Sequence, residues 1–377
     1  MPRTQQRAAA LPRVDVPVTA VDVRAFTVPT DALEGDGTLT WDSTTMVLVE
    51  VDAGGRTGLG WTYGATACVD VVRDRLAPVV VGRSGLDVTA VHDDMASALR
   101  NDGRPGIGSM SLSAVDTALW DLKARLLELP LHRLLGAQRD RVPVYGSGGF
   151  TTYDDRQLRE QLDGWAADGF TAVKIKVGES HGRRTSRDTA RVRQVRSALG
   201  PGVEVFVDAN GAFTPKSAVR WYDEVAAAGV TWFEEPVSSD DLAGLARVRE
   251  AIRADVAAGE YGYTPTYFER MLDAGSVDCL QVDVTRCGGI TSWLRIAATA
   301  AAHHLEVSGH CAPHLHAAVA AATPNLRHLE WFHDHVRIES MLLDGAEPAH
   351  GGTMPLHDRA GNGLTWRGGV SDQYRVR

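Results

Sequence analysis

The chain has 377 residues and carries 39 basic against 48 acidic side chains, a net charge of −9. Hydrophobic residues make up 44% and charged residues 23%, a globular balance in a length that allows two or three domains. Clustered basic surface is missing, which argues against nucleic acid as a partner, and no apolar run approaches the roughly 20 residues that cross a bilayer.

Residues 1–14 read as a disordered tail without an apolar core long enough for a signal peptide. The cysteines at 68, 279, 287 and 311 show no CxxC spacing, so neither a disulfide framework nor a structural zinc site is expected, and a reducing cytoplasm is the default. From 15 to 140 the pattern is α+β. VDVRAFTV and TTMVLVEVDAGGRTGLGWTYG alternate as strands of an antiparallel meander, with a turn at Gly54–Gly55. Between them, PTDALEGDGTLTWD reads as a mobile loop. A helix follows over 109–127, with Ser113 as its N-cap and Pro130 beyond its end.

From 141 to 340 short apolar runs alternate with helical stretches. Eight runs end near residues 146, 176, 208, 234, 260, 283, 310 and 330, which predicts a (β/α)₈-like barrel. The segment 341–377 is Gly-rich and is expected to return to the N-terminal domain.

Functional groups of such barrels sit at the C-terminal ends of the strands. Asp208, Glu234 and Glu260 each close a run, 26 residues apart, about one strand–helix unit. Three hard oxygen ligands suit Mg²⁺ better than zinc. Lys174 and Lys176 share one strand face. If that face is interior, repulsion and burial depress one pKa; Lys176, nearer the strand end, becomes the base, and Lys174 faces a substrate carboxylate. If it is exterior, both are ordinary surface lysines. Asp283 and His310 end neighbouring strands, and a carboxylate on one imidazole nitrogen would fix the tautomer of the other. His314 and His316 leave a zinc cluster in HCAPHLH as a weaker alternative. Glu330 is either a loop cap or a protonated acid that hydrogen-bonds a substrate oxygen. Asn210 shares parity with Asp208; Glu235 has the parity opposite to Glu234 and is expected either behind the site or in an ion pair.

GWTYG, SAVDTALWDLKARL, VKIKVG, VDAN, WFEEP, AGE, VDVTRCGGIT, SGH and HLE together resemble the enolase superfamily, specifically its mandelate racemase subgroup. The resemblance spans nearly the whole chain. It implies a modified (β/α)₇β TIM-like barrel with an N-terminal α+β capping domain, and one Mg²⁺ on Asp208, Glu234 and Glu260. It also implies acid/base groups at Lys176 and at the His310–Asp283 pair. A muconate-cycloisomerase-like branch carries lysine where this chain has Asp283, so the mandelate racemase branch is favoured.

The chemistry expected is removal of the proton α to the carboxylate of a small-molecule substrate. Dehydration of a sugar acid, an aldonate or aldarate, to a 2-keto-3-deoxy acid comes first. Racemisation or epimerisation of a 2-hydroxy acid is the alternative, with Trp41 of the cap packing on an apolar tail. A Schiff-base aldolase using Lys176 leaves the three acids without a task, and retention of both acid/base sets argues against a silent binding barrel. The resemblance also implies a homo-oligomer between dimer and octamer.

Overall fold

The computed structural model describes residues 15–377. The expected tail at 1–14 lies outside the described residues.

Strands β1 (Val18–Gly35), β2 (Thr40–Ala53) and β3 (Arg56–Tyr63) form an antiparallel sheet. Gly54 and Gly55 turn β2 into β3 with φ of 56° and 72°, a left-handed pair that glycine adopts at little cost. Alternation assigns the two faces. Val49 and Val51 join the cap's helical core, whereas Met46, Leu48, Trp61 and Tyr63 join the core shared with the barrel. On β3, Gly58 and Gly60 alternate with those aromatics and lie against the helix Ile107–Leu126. A Cβ on either glycine would collide with the backbone carbonyl of Ala118 or Ala114. This close approach fixes the helix on the sheet.

Two cap expectations are corrected. The stretch 29–42 is mostly strand: β1 and β2 form a long arm whose tip is only Asp36–Leu39, held by Asp36 Oδ1 on the amides of Thr38 and Leu39 at 2.5 and 2.8 Å. A register shift between Pro29 and Glu34 breaks the alternation that would have revealed it. Ser113 is no N-cap. It sits within the helix, donates to the Ser109 carbonyl (2.7 Å) and accepts the Gly288 amide (2.9 Å), so it ties cap to barrel.

Strands β4 (Arg141–Gly148), β5 (Ala172–Lys176), β6 (Glu204–Asp208), β7 (Val230–Glu234), β8 (Asp255–Ala258), β9 (Cys279–Val282), β10 (Glu306–Gly309) and β11 (Leu326–Phe332) are parallel in chain order. β11 pairs with β4 and closes the ring. Each of β4–β11 is followed by a helix, and β11 completes the modified TIM barrel. Capping boxes at Asp154/Gln157 and Thr214/Ser217 start two of the helices. Val173, Ile175 and Val177 belong to the outer, helix-covered layer, so Lys174 and Lys176 point inward. Tyr145, Ala172, Phe206, Trp232, Ala257 and Cys279 form a separate apolar cluster inside the barrel, below the charged residues. The chain then returns to the cap: Ala25 and the backbone of Val376 and Arg377 exchange hydrogen bonds at 2.9 and 3.0 Å. No helix among the described residues is long and apolar enough to cross a membrane.

Candidate active site

Parallel register does the first part of the assembly. Lys176 pairs with Asp208 across β5–β6, and Asp208 with Glu234 across β6–β7. Glu260 follows the end of β8, after Gly259. Ligand oxygens of Asp208, Glu234 and Glu260 lie within 4.8 Å of one another, and all three residues are buried. Burial and the carboxylates of Asp208, Glu330 and Glu260 push the Glu234 carboxyl up to about 8 despite Lys174 beside it. Glu260 Oε2 and Glu235 Oε1 are buried without a hydrogen-bond partner. Crowded buried carboxylates with orphaned oxygens form a hard-oxygen donor set that fits Mg²⁺.

Lys176 Nζ donates to Asp208 Oδ2 at 2.5 Å. Burial lowers its pKa, but the Asp208 charge outweighs burial and holds the ammonium above its usual range. The expected depression is therefore corrected: the nearest strong field is an anion, not the second lysine. Lys174 is corrected too. It is fully buried, 2.8 Å from Glu330 Oε1 and hydrogen-bonded to Glu234, and it does not line the cleft where a substrate carboxylate would sit.

Glu330 accepts from Ser147 Oγ at 2.6 Å and from the Cys311 amide at 2.9 Å. Burial raises its pKa, yet Lys174 and His310 overcome this and hold it well below the carboxylate range. The expected protonated acid is thus a buried anion. Its proximity to Lys174 was invisible to a reading of strand ends alone.

His310 Nδ1 lies 2.8 Å from Asp283 Oδ2, and its Nε2 lies 3.4 Å from Glu260 Oε2. Burial alone lowers the imidazole pKa; Glu260, Asp283 and Glu330 together raise it. Burial likewise opposes the Asp283 charge, but His310 and Arg286 hold that carboxyl well below its usual range. His314 turns away to Glu339 (2.6 Å), and His316 accepts the Val284 amide (2.9 Å) while facing the Ala312 carbonyl, so the three histidines of HCAPHLH do not converge on one metal. The Asn210 amide donates to Asp208 Oδ1 at 2.9 Å. Glu235 adopts φ of +37°, which bends the chain out of strand geometry. Of the two expected places the ion pair is the one not found: no salt bridge reaches Glu235 among the described residues, and burial and Glu260 hold its carboxyl well above the usual range.

A cleft of about 450 Å³ opens over these groups. Lys176, Asn210, Glu260, His310 and Cys311 form its floor; Trp41, Ser43, Thr45 and Tyr63 of the cap overhang it. Trp41 packs edge-on against Phe150 and donates to Glu34 (2.8 Å). Sequence reasoning missed Arg286, which lies 3.5 Å from Asp283 and 3.6 Å from Glu260 and stacks over Tyr261. An arginine three residues after a strand-end acid was the available signal. It also missed Tyr63 and His335, which stack at 3.5 Å across the cap–barrel seam; nothing local marks that pair.

A closed parallel barrel under an antiparallel cap, with titratable groups at the strand ends, defines an enolase-type architecture. Residues 25–136 match the model of the mandelate racemase/muconate lactonizing enzyme N-terminal domain, and residues 157–370 match the enolase C-terminal domain-like model. The chain belongs to the mandelate racemase subgroup of the enolase superfamily. A mandelate racemase/muconate lactonizing enzyme-like protein from Rubrobacter xylanophilus superposes with TM-score 0.92 at 49% identity, covering 96% of this chain and 100% of the other. L-Talarate dehydratase from Polaromonas sp. JS666, complexed with Mg and L-glucarate, gives TM-score 0.86 at 29% identity over 96% and 98%. The 3,6-anhydro-alpha-L-galactonate cycloisomerase of Streptomyces coelicolor is 32% identical, over 80% of this chain and 86% of its own length.

Proposed function

We propose that this protein removes the proton α to the carboxylate of an acid sugar and completes a dehydration to a 2-keto-3-deoxy acid, with Mg²⁺ held by Asp208, Glu234 and Glu260. The observation that carries this reading is the joint presence of the buried acid trio and two acid/base groups on different barrel walls. The dehydratase relative that carries Mg and a sugar diacid supports the same choice.

A bound dication would polarise the substrate carboxylate and offset the second negative charge that develops as the α-proton leaves. The rest falls to the chain. Lys176 and His310 reach the cleft from β5 and the end of β10, with β4 and β11 between them on one side of the ring. Lys176 can accept a proton only when neutral, which requires the Asp208 charge to be engaged elsewhere; membership of the acid trio supplies that. Asp283 accepts the Nδ1 proton of His310, so when the imidazole is charged its Nε2 carries the proton that goes to a departing β-hydroxyl. Lys174 and Glu330 form a buried ion pair that stiffens the floor. The hydroxyls of Ser43 and Thr45 face the cleft and suit a polyol tail.

The same two walls also serve racemisation or epimerisation of a 2-hydroxy acid, if His310 returns the proton to carbon rather than to oxygen. A panel of aldonic and aldaric acids with Mg²⁺ separates the outcomes. Semicarbazide-reactive product marks dehydration; α-deuterium incorporation from D₂O without keto acid marks the alternative and overturns the first choice. The buried, unpaired cysteines accord with a cytoplasmic site of action, and a homo-oligomer completes the proposal.

A further inference from the structure

A second group of metal-type ligands lies apart from the acid trio, where the cap arm meets the barrel. Asp31 and Glu34 come from β1, and His333 opens the helix His333–Leu342 directly after β11. One donor atom from each lies within 4.8 Å of the others. His333 Nε2 is already 2.9 Å from Asp31 Oδ2.

This group could be an ordinary surface ion pair beside an unrelated acid. Glu34 argues otherwise. It is 0% exposed, and although Oε2 takes the Trp41 indole proton, Oε1 is buried with no partner. Neighbouring Asp334 is also fully buried; Arg337 takes its Oδ1 (2.6 Å), and Oδ2 is left unpartnered. A cation answers a buried orphan carboxylate oxygen. Access is open, since Asp31 and His333 side chains are 48% and 28% exposed and both line a surface cleft beside Tyr153.

We infer that Asp31, Glu34 and His333 form a second divalent-cation site that clamps the cap arm to the end of β11. One imidazole and two carboxylates, with room for water, select a borderline ion such as Zn²⁺ over Mg²⁺. Through Glu34 the ion would fix Trp41, which overhangs the active-site cleft. The clamp does not depend on which reaction the cleft performs.

The test is a Zn²⁺ titration of the chelator-stripped full chain in excess Mg²⁺, followed by calorimetry and thermal unfolding. The wild type is expected to take up one Zn²⁺ per chain with a rise in Tm. Asp31→Asn, at an exposed position, and His333→Gln, at a half-buried one, are each expected to weaken uptake about tenfold or more and to abolish the rise. Glu260→Gln and Cys311→Ala are expected to retain both. Undiminished uptake in Asp31→Asn and His333→Gln overturns the inference. So does loss confined to Glu260→Gln or Cys311→Ala, which would seat the ion on the acid trio or on His310, Cys311 and Glu330.

Discussion

Asp283 Oδ2 lies 2.8 Å from Nδ1 of His310, and both groups are buried at the ends of adjacent strands. The contact fixes which imidazole nitrogen faces Glu260 and the cleft. It also contributes, after Glu260, to raising an imidazole pKa that burial alone would lower. If charged His310 is the acid of the dehydration, kcat/KM falls as pH rises through the His310 pKa, while the need for neutral Lys176 sets the acidic limb. Asp283→Asn removes a hydrogen bond that favours the charged form, so this alkaline limb moves to lower pH. His310→Asn loses about 10²–10⁴ in kcat. A pH–rate profile of both variants checks this, and an unmoved limb in Asp283→Asn would speak against the pair.

The acid trio predicts a metal-dependent stability with a defined pH window. In the metal-free protein the Glu234 carboxyl stands at about 8 rather than 4.5, so the folded state binds this proton more tightly than the unfolded state. Its contribution is present below about 4.5 and is lost as pH rises through about 8. A dication removes that loss. The gap in Tm between Mg²⁺-saturated and chelated protein should therefore widen from pH 5 to pH 8, and at a hundredfold excess over Kd the ion should add about 2.7 kcal/mol. A gap independent of pH would contradict the account.

Lys174 answers two buried carboxylates at once, Glu234 and Glu330. Lys174→Met leaves both without their cation, which is expected to destabilise the protein by about 3–5 kcal/mol in chemical denaturation. A variant as stable as the wild type would show that the acids relax without their ammonium partner.

Gly60 allows β3 to lie against the helix Ile107–Leu126. Gly60→Ala is expected to cost about 1–3 kcal/mol as strand and helix are forced apart. Thermal unfolding measures it, and an unchanged Tm would mean that the seam has slack.

The barrel was legible because its signals are local and periodic. Apolar runs recur at one strand–helix spacing, and parallel register then carries Asp208 beside both Lys176 and Glu234. The features that misled depend on partners distant in sequence. Glu330 looked free to hold a proton, yet Lys174 reaches it across the barrel interior. Ser113 looked like a cap, yet its partner Gly288 is on the loop after β9. The arm of β1 and β2 looked like a loop because a bulge interrupts its alternation.

The most direct test is NMR-detected exchange of the α-hydrogen in D₂O, with Mg²⁺ and an acid-sugar panel, comparing wild type with Lys176→Ala. The account predicts that the wild type deuterates or consumes one class of acid sugar, and that Lys176→Ala and chelated wild type do neither. Exchange or turnover that survives the loss of Lys176, or survives chelation, would contradict it.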